Sequence, residues 1–295
     1  MGTTQSTYAN IDGDIIVYRS GFAAEKTHYV LTWDDGGLTQ EFIGKKELNA
    51  FIKENELTGY EVESRLEVEP LSHALATVKS TIATIINSTK PEDIKVYLTK
   101  GDNFRHELAT IAKYKGNRDN LRRPHHYSDI REYLIKYYSA IVCEGYEADD
   151  ALADAQTENT VLCSIDKDLL QVPGKHYNWV TDTKLLVTPE TGLLKLWCQV
   201  LTGDKTDNIP GIYKCGPVTA KKLLADCTTE EEMWDVCVEK WEEHILGDTP
   251  PTWMSLKDDE TKSVTYPHWE GDSMETVNIE HIVEEIYQLI KVGRR

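Results

Sequence analysis

The segment Glu144-Gly-Tyr-Glu-Ala-Asp-Asp150 gathers four carboxylates, and two more acidic clusters follow it: Ser164-Ile-Asp-Lys-Asp-Leu169 and Gly203-Asp-Lys-Thr-Asp-Asn-Ile-Pro-Gly211. A fourth, Ile11-Asp-Gly-Asp14, lies upstream. Each cluster sits at the end of an apolar run, where a strand would deliver side chains to one edge of a sheet. Carboxylates gathered in this way repel one another and are tolerable only with something cationic between them. Hard divalent ions such as Mg²⁺ prefer oxygen ligands. A multi-carboxylate site holding two such ions is the usual machinery for cutting phosphodiesters. Among fifty acidic residues a single Asp-x-Asp is expected by chance; four clusters placed alike are not.

The elements that must position these acids are legible from periodicity. Ala9–Ile11 reads as the opening strand, with Asp12 at its carboxyl end, and ligand sites in open α/β sheets lie just beyond such ends. His28–Trp33 and Leu38–Ile43 are joined by Asp34-Asp-Gly-Gly37, a hairpin signal, and Lys45–Glu54 reads as a short helix. Residues 25 to 70 together look like an insertion on the core fold. Leu71–Asn87 has a helical period, and Ile94–Thr99 is the next strand. Asp129–Tyr138 reads as helix, Ala140–Cys143 as a strand leading to Glu144, and Ala148–Gln156 as a helix with Asp149 and Asp150 in its first turn. Acids are favourable at a helix N-terminus without any metal, so part of that cluster could be capping. Val161–Ile165 is a further strand ending in Asp166. Strands alternating with helices predict an α/β fold with a mostly parallel central sheet flanked by helices.

Leu193–Leu201 and Val218–Ala225 read as helices separated by a Gly- and Asp-rich turn, with Pro217 suited to the first turn of the second. This is a helix-hairpin-helix pattern, whose backbone amides can hold phosphates without reading sequence. Ile279–Val292 is a closing amphipathic helix. The expected division is a nuclease core over 1–192, with a basic segment at 100–136, and a helical DNA-binding region with an acidic tail over 193–295.

A net charge of −18 argues at first against a nucleic-acid partner, since phosphate binding calls for Lys and Arg. The distribution changes that. Lys95–Lys136 holds ten basic and five acidic residues, whereas Asp226–Arg295 holds eighteen acidic and six basic. One basic face for DNA and a solvated acidic remainder fit this asymmetry. The 295 residues suffice for one large domain or two small ones. No apolar run approaches membrane-spanning length, and Met1 to Ala9 lacks the features of a secretory signal. Six scattered cysteines without a Cys-x-x-Cys pair read as reduced core residues of a cytoplasmic protein.

Glu-Ala-Asp-Asp, then Asp-x-Asp, then Gly-Asp-x-x-Asp-Asn-x-x-Gly, in this order, resembles the 5′ nuclease superfamily. That group includes flap endonucleases, phage 5′→3′ exonucleases and the 5′ nuclease domain of bacterial DNA polymerase I. The resemblance extends to Asn103-Phe-Arg-His-Glu107 and Tyr114-Lys-Gly-Asn-Arg118, and covers roughly residues 8 to 226. It implies a metal cluster drawn from Asp12, Glu147, Asp149 and Asp150, with Asp166 and Asp168 following, and Asp204 and Asp207 completing a more open site. Two Mg²⁺ or Mn²⁺ ions are implied, and K⁺ at the helix-hairpin-helix. Asp14 is left open between ligand and turn residue. The family carries an acid at the end of the second strand, a few residues before the Phe-Arg pair. Lys100 stands there instead, and Asp102 lies two residues on. Either Asp102 takes over as ligand, the reading preferred here, or the Lys100 ammonium replaces one metal.

The resemblance also makes Lys115 and Arg118 the groups that meet the scissile phosphate and stabilise its transition-state charge. Arg105, Lys113 and Tyr114 belong to the same basic segment, an arch or its border, and are expected to contact DNA. Tyr114 and Tyr146 could stack on a base. Gly211, Gly216, Lys221 and Lys222 are expected to hold the duplex. The function implied is a metal-dependent 5′→3′ exonuclease or flap endonuclease acting on duplex DNA with a single-stranded 5′ end or flap. It would work as a monomer in phage replication or recombination, in the host cytoplasm, and RNA–DNA hybrids in primer removal are a related substrate. The alternatives are a catalytically altered DNA-binding protein of the same fold and a PIN-like ribonuclease.

Overall fold

The computed structural model describes residues 7–34, 37–119, 121–258, 260–271 and 273–293. These residues form two compact units, one comprising the described residues within 7–12, 89–121 and 141–293, the other those within 13–88 and 122–140.

In chain order the strands and helices are β1 (Tyr8–Asp12), α1 (Gly13–Ala23), β2 (Glu25–Trp33), β3 (Leu38–Ile43), α2 (Lys45–Glu54), β4 (Glu61–Val68), α3 (Leu71–Thr89), β5 (Asp93–Asn103), α4 (Phe104–Leu108), α5 (Tyr127–Tyr138), β6 (Ile141–Gly145), α6 (Ala148–Asp154), β7 (Thr160–Cys163), β8 (Gly174–Asn178), β9 (Thr183–Val187), α7 (Pro189–Thr202), α8 (Pro217–Leu223), α9 (Glu230–Leu246), β10 (Leu256–Asp258), β11 (Ser263–Pro267), β12 (Met274–Asn278) and α10 (Ile279–Ile290).

The first unit is built on a six-stranded sheet in the order β6-β5-β1-β7-β8-β9. All neighbours are parallel except the β8–β9 hairpin. The fold class read from the sequence is the one observed. Strand β1 is buried from Ala9 to Asp12, as expected of the middle of a parallel sheet. Chain order reverses on either side of β1, which pairs with β5 on one edge and β7 on the other. Such a switch point opens a crevice at the carboxyl ends of the strands. The clusters beginning at Asp12, Glu144 and Ser164 all emerge there. Helix α6 packs on β1 and β5.

A second core of this unit lies among α7, α8, α9 and α10. Trp197, Val200, Leu201, Trp241, Ile282 and Ile286 are its buried centre. Helix α7 runs across the division expected at 192–193, and the residues on both sides belong to this unit. The acidic region beyond Asp226 is ordered as α9, a small antiparallel sheet β10-β11-β12, and α10. Among the described residues no helix is long and apolar enough to cross a membrane. All six cysteines are free thiols.

The second unit contains the antiparallel sheet β3-β2-β4. The expected hairpin is present, with Trp33 opposite Leu38; Asp35 and Gly36 of its turn lie outside the described residues. Strand β4, whose Glu/apolar alternation is interrupted by Ser64 and Arg65, is not signalled by the sequence reading and pairs along β2. Leu31, Phe42 and Leu48 close a small core between this sheet and α2. Asp14, in the first turn of α1, pairs with Arg131 of α5 at 3.0 Å. The basic stretch 100–136 is divided, its residues up to Leu121 belonging to the first unit and the remainder to the second.

Candidate active site

Asp12 closes β1, is 2% exposed, and accepts a hydrogen bond from the Ser164 hydroxyl at 2.7 Å. Ser164 in turn accepts from the Asp166 amide at 3.0 Å, and Asp166 accepts from the Asp168 amide at 2.8 Å. Two successive side-chain-to-backbone bonds of this kind fix the turn after β7 and set both acids at the sheet edge.

Across the crevice, Glu147 is the N-cap of α6, and Asp149 and Asp150 lie in its first turn. Asp149 is partly exposed and ringed by acids. Burial first, then the charges of Asp12, Asp166 and Glu147, push its carboxyl well above the usual range, and Lys115 offsets only part of that. Burial and the neighbouring Asp166 likewise raise Asp168 to about 6, with Asp204 adding to the shift and Lys195 and Gln199 opposing it. Carboxylates that hold protons at such values make a site short of positive charge. All the donors are oxygens, which suits a hard divalent cation. Among the described residues no three of them already stand at coordination spacing.

Protein cations occupy part of this space. The Lys115 ammonium donates to Glu147 and lies 3.7 Å from Asp207. Arg118 donates to Asp207, and through its Nε to the Thr206 carbonyl at 2.9 Å. Burial works against the charge on Lys115, but Glu147 and Asp207 prevail and hold its pKa above the ordinary value. Asp207 is itself raised by burial despite both cations. The loop bearing Lys115 is tied to the Gly203–Gly211 turn by backbone and side-chain bonds. The Lys115 amide donates to the Asp207 carbonyl at 2.8 Å, Asn208 to the Lys113 carbonyl at 3.0 Å, and Asn117 to the Lys205 carbonyl at 2.7 Å. Lys115 has φ 56, a left-handed conformation that a lysine adopts only when its surroundings impose it.

The turn after α7 depends on close backbone approach. A Cβ on Gly203 would lie 2.5 Å from the Ile209 carbonyl oxygen, and one on Gly211 2.1 Å from that of Thr202. Asp204 and Ile209 exchange backbone hydrogen bonds across it. Gly216 is the N-cap of α8, with nothing within 4 Å of a Cβ placed there, and Lys221 and Lys222 are exposed on that helix.

Four expectations need correction, those for Asp150, Arg105, Tyr114 and Asp102. Asp150 was grouped with the metal ligands, but both its oxygens are taken: Arg105 grips them at 2.8 and 2.7 Å, and the Glu147 and Gly293 amides donate to them at 3.0 Å. Its pKa is lowered, because the Arg105 pairing and these amides outweigh burial. Arg105, expected to contact DNA, is 2% exposed, gives two further donors to the Leu289 and Lys291 carbonyls and lies 3.6 Å from Glu147. Tyr114, also expected on DNA, is buried, and its hydroxyl oxygen lies 3.0 Å from both the Glu147 and the Asp207 carboxylate, which share its one proton. Lys113 pairs with Asp119 at 2.6 Å while remaining partly exposed. Asp102 is exposed, and among the described residues its side chain has no hydrogen-bond or ion-pair partner; Lys100 pairs with Glu144 at 3.0 Å with most of its side chain in solvent. The ammonium among the carboxylates is that of Lys115.

Asn103 is a further functional residue, which the Asn103–Glu107 motif alone does not single out. It is 5% exposed, caps α4, and donates to Glu147 at 3.0 Å. Gln199 is another; it donates to Asp168 at 2.6 Å, and its signal is an amide in the apolar run of α7. Tyr114→Phe keeps the ring and loses only the hydroxyl. It is expected to lower unfolding free energy by about 1.5–3 kcal/mol, the range for hydrogen bonds to charged groups. A urea titration with an unchanged midpoint would contradict the buried role.

The sequence profile of the family described as 5′-3′ exonuclease, N-terminal resolvase-like domain, matches residues 65–196. DNA polymerase I of Synechocystis sp. is 31% identical over 188 residues, which is 53% of this chain and 19% of that protein. The thermostable DNA polymerase I of Thermus aquaticus is 32% identical over 150 residues, 45% of this chain and 18% of that one. A 5′-3′ exonuclease of Mycoplasmopsis pulmonis is 29% identical over 174 residues, 52% of this chain and 58% of the relative. The chain thus spans about a fifth of the polymerases it matches. Among solved structures, a T5 5′-exonuclease aligns with TM-score 0.49 and 13% identity over 97% of this chain and 86% of that one. Residues 65–196 match the 5′-3′ exonuclease N-terminal domain, and over that stretch the chain is similar to the 5′ nucleases.

Proposed function

We propose that this chain is a divalent-metal-dependent 5′ nuclease that hydrolyses phosphodiesters at 5′ ends or 5′ flaps of DNA. The observation that carries the reading is the convergence of two opposite charge sets at one sheet edge. Asp12, Glu147, Asp149 and Asp166 leave the carboxyl ends of β1, β6 and β7, and the basic loop brings Lys115 and Arg118 to Glu147 and Asp207. Asp12, Glu147, Asp149 and Asp166 would hold one Mg²⁺ or Mn²⁺, with Asp168, Asp204 and Asp207 toward a second. The chemistry such ions supply is acidification of a water and neutralisation of charge on the leaving oxygen.

The protein's own part is positioning. Ser164 orients Asp12, Asn103 and Tyr114 orient Glu147, and Gln199 orients Asp168. Lys115 and Arg118 are paired with carboxylates that a metal ion would claim. From these positions they would stabilise charge on the oxygens of a bound phosphate in the transition state. Turn amides and Lys221 and Lys222 of the α7–α8 hairpin would grip the duplex backbone without reading bases.

Digestion of end-labelled flap, nicked and blunt duplexes with Mg²⁺ tests the reading. Cleavage from the 5′ side, abolished by excess EDTA, is expected; full activity in EDTA would sink it. Replacing Lys221 and Lys222 together by Ala should weaken binding alike on every sequence. The slope of log affinity against log salt should then shrink by about two. A loss confined to one DNA sequence would contradict the hairpin's assignment.

A further inference from the structure

The acidic region beyond Asp226 has no task in the reaction as described, yet its last helix ends inside the site's supports. Helix α10 carries Glu285 on a stripe of Ile282, Val283, Ile286 and Leu289, and Glu285 is 4% exposed. A carboxylate buried so deeply requires hydrogen-bond partners. It has the Thr110 and Ile111 amides at 2.8 and 3.2 Å, and the Thr110 hydroxyl. Trp269 grips the same loop, donating from Nε1 to the Ala109 carbonyl at 2.7 Å and from its amide to the Thr110 carbonyl at 3.0 Å. That loop leads directly into Tyr114 and Lys115.

The end of α10 does the same for the acids. The Leu289 and Lys291 carbonyls accept from Arg105 at 3.0 and 2.6 Å, and the Gly293 amide donates to Asp150 at 3.0 Å. The Arg105–Asp150 pair in turn fixes the first turn of α6, where Glu147 and Asp149 stand. The Ile290 carbonyl accepts from Gln171 at 3.1 Å, and the Val292 amide donates to Gln171 at 3.3 Å. Gln171 donates to Gln199 at 2.9 Å, and Gln199 to Asp168 at 2.6 Å.

We propose that Glu285–Gly293 is a positioning element of the nuclease site. From one helix end it fixes the Lys115 loop, the first turn of α6 and Asp168, and the metal-binding arrangement is incomplete without it. The proposal rests on the nuclease reading above. None of these residues touches the reacting atoms; they act through the groups they hold, as outer partners of metal ligands do.

Two variants test it: the chain ended after Ile290, which keeps α10 but removes the partners at 291–293, and Arg105→Lys, which keeps a cation but loses the two-pronged grip on Asp150. Mn²⁺ binding is titrated without DNA, and single-turnover cleavage of a 5′ flap is followed at saturating Mn²⁺. DNA affinity is measured in Ca²⁺, and folding by cooperative melting. The Mn²⁺ half-saturation should rise about 10-fold and the cleavage rate fall by about 10- to 100-fold, the usual cost of losing such partners, with DNA affinity unchanged. A merely structural role would lower the melting temperature and leave the half-saturation of the folded protein alone. Variants that retain wild-type Mn²⁺ affinity and rate overturn the proposal. If the shortened chain does not fold, Arg105→Lys decides. A wild-type protein that neither binds Mn²⁺ nor cuts overturns the nuclease reading, and this inference with it.

Discussion

Asp149→Asn is expected to lower the single-turnover cleavage rate by about 10⁴-fold, some 5.5 kcal/mol of transition-state stabilisation, while DNA binding in Ca²⁺ stays close to wild type. Asp149 sits at the centre of the acidic cluster, with Asp12, Asp166 and Glu147 around it. An amide of the same shape removes the charge and leaves the packing. The same variant carries an opposite expectation for stability. The folded-state pKa of Asp149 is raised, so between its unfolded value near 3.8 and that raised value the folded protein binds more protons than the unfolded chain. Stability of the metal-free protein therefore falls as pH rises through this window. Asp168, raised to about 6, adds to the fall between pH 3.8 and about 6. Urea titrations in EDTA from pH 4 to pH 8 should show wild-type stability declining and Asp149→Asn declining less. Mg²⁺ should restore wild type most at the high end, by linkage of metal binding to folding. A variant that cuts at the wild-type rate would remove Asp149 from the site, and a pH profile identical to wild type would mean that its neighbours do not crowd it.

The second large effect is expected at Lys115. Lys115→Ala should reduce the cleavage rate by about 10²- to 10³-fold, the range for loss of one donor to a charged transition state. It should also destabilise the metal-free protein, because Glu147 and Asp207 lose the cation between them. Unpairing a buried charge costs far more than a surface pair contributes. Divalent metal should then recover stability but not rate, and this split separates Lys115 as a phosphate-binding group from Lys115 as a counter-ion alone. If rate and stability recover together, it serves only as a counter-ion. Lys100→Ala and Asp102→Ala should both be nearly silent, since Lys100 pairs with Glu144 at the exposed rim and the Asp102 side chain is exposed, with no partner among the described residues. A severe effect at either would restore the sequence-based reading of that departure.

The sequence determined the frame of the site by itself. Period-2 and period-3.6 patterns gave α2 its two boundaries and α3 and α10 their starts, and they put Asp12 and Glu144 at strand ends; the strand expected at Val161–Ile165 ends earlier, at Cys163. Such signals are local, set by which face of an element is buried, and the chain carries them without knowledge of its partners. The acid clusters were legible for the same reason, since a strand end and the turn after it are neighbours in sequence. What the sequence left undecided was which acids remain available. Glu147, Asp149 and Asp150 look alike in one short motif, yet Asp150 is consumed by Arg105, 45 residues away. Asp149 is left among like charges. Arg105 and Tyr114 likewise read as members of a basic, DNA-facing stretch. Only tertiary packing, by covering them with α10 and the loop after α7, turned them inward and made their polar groups internal ties. The region after Asp226 gave no functional signal because much of its contribution is made through backbone carbonyls and amides of residues 289–293, which every sequence possesses, and because Glu285 and Trp269 act on a loop more than 150 residues away in sequence. The role of those backbone groups is fixed only by where the last helix ends.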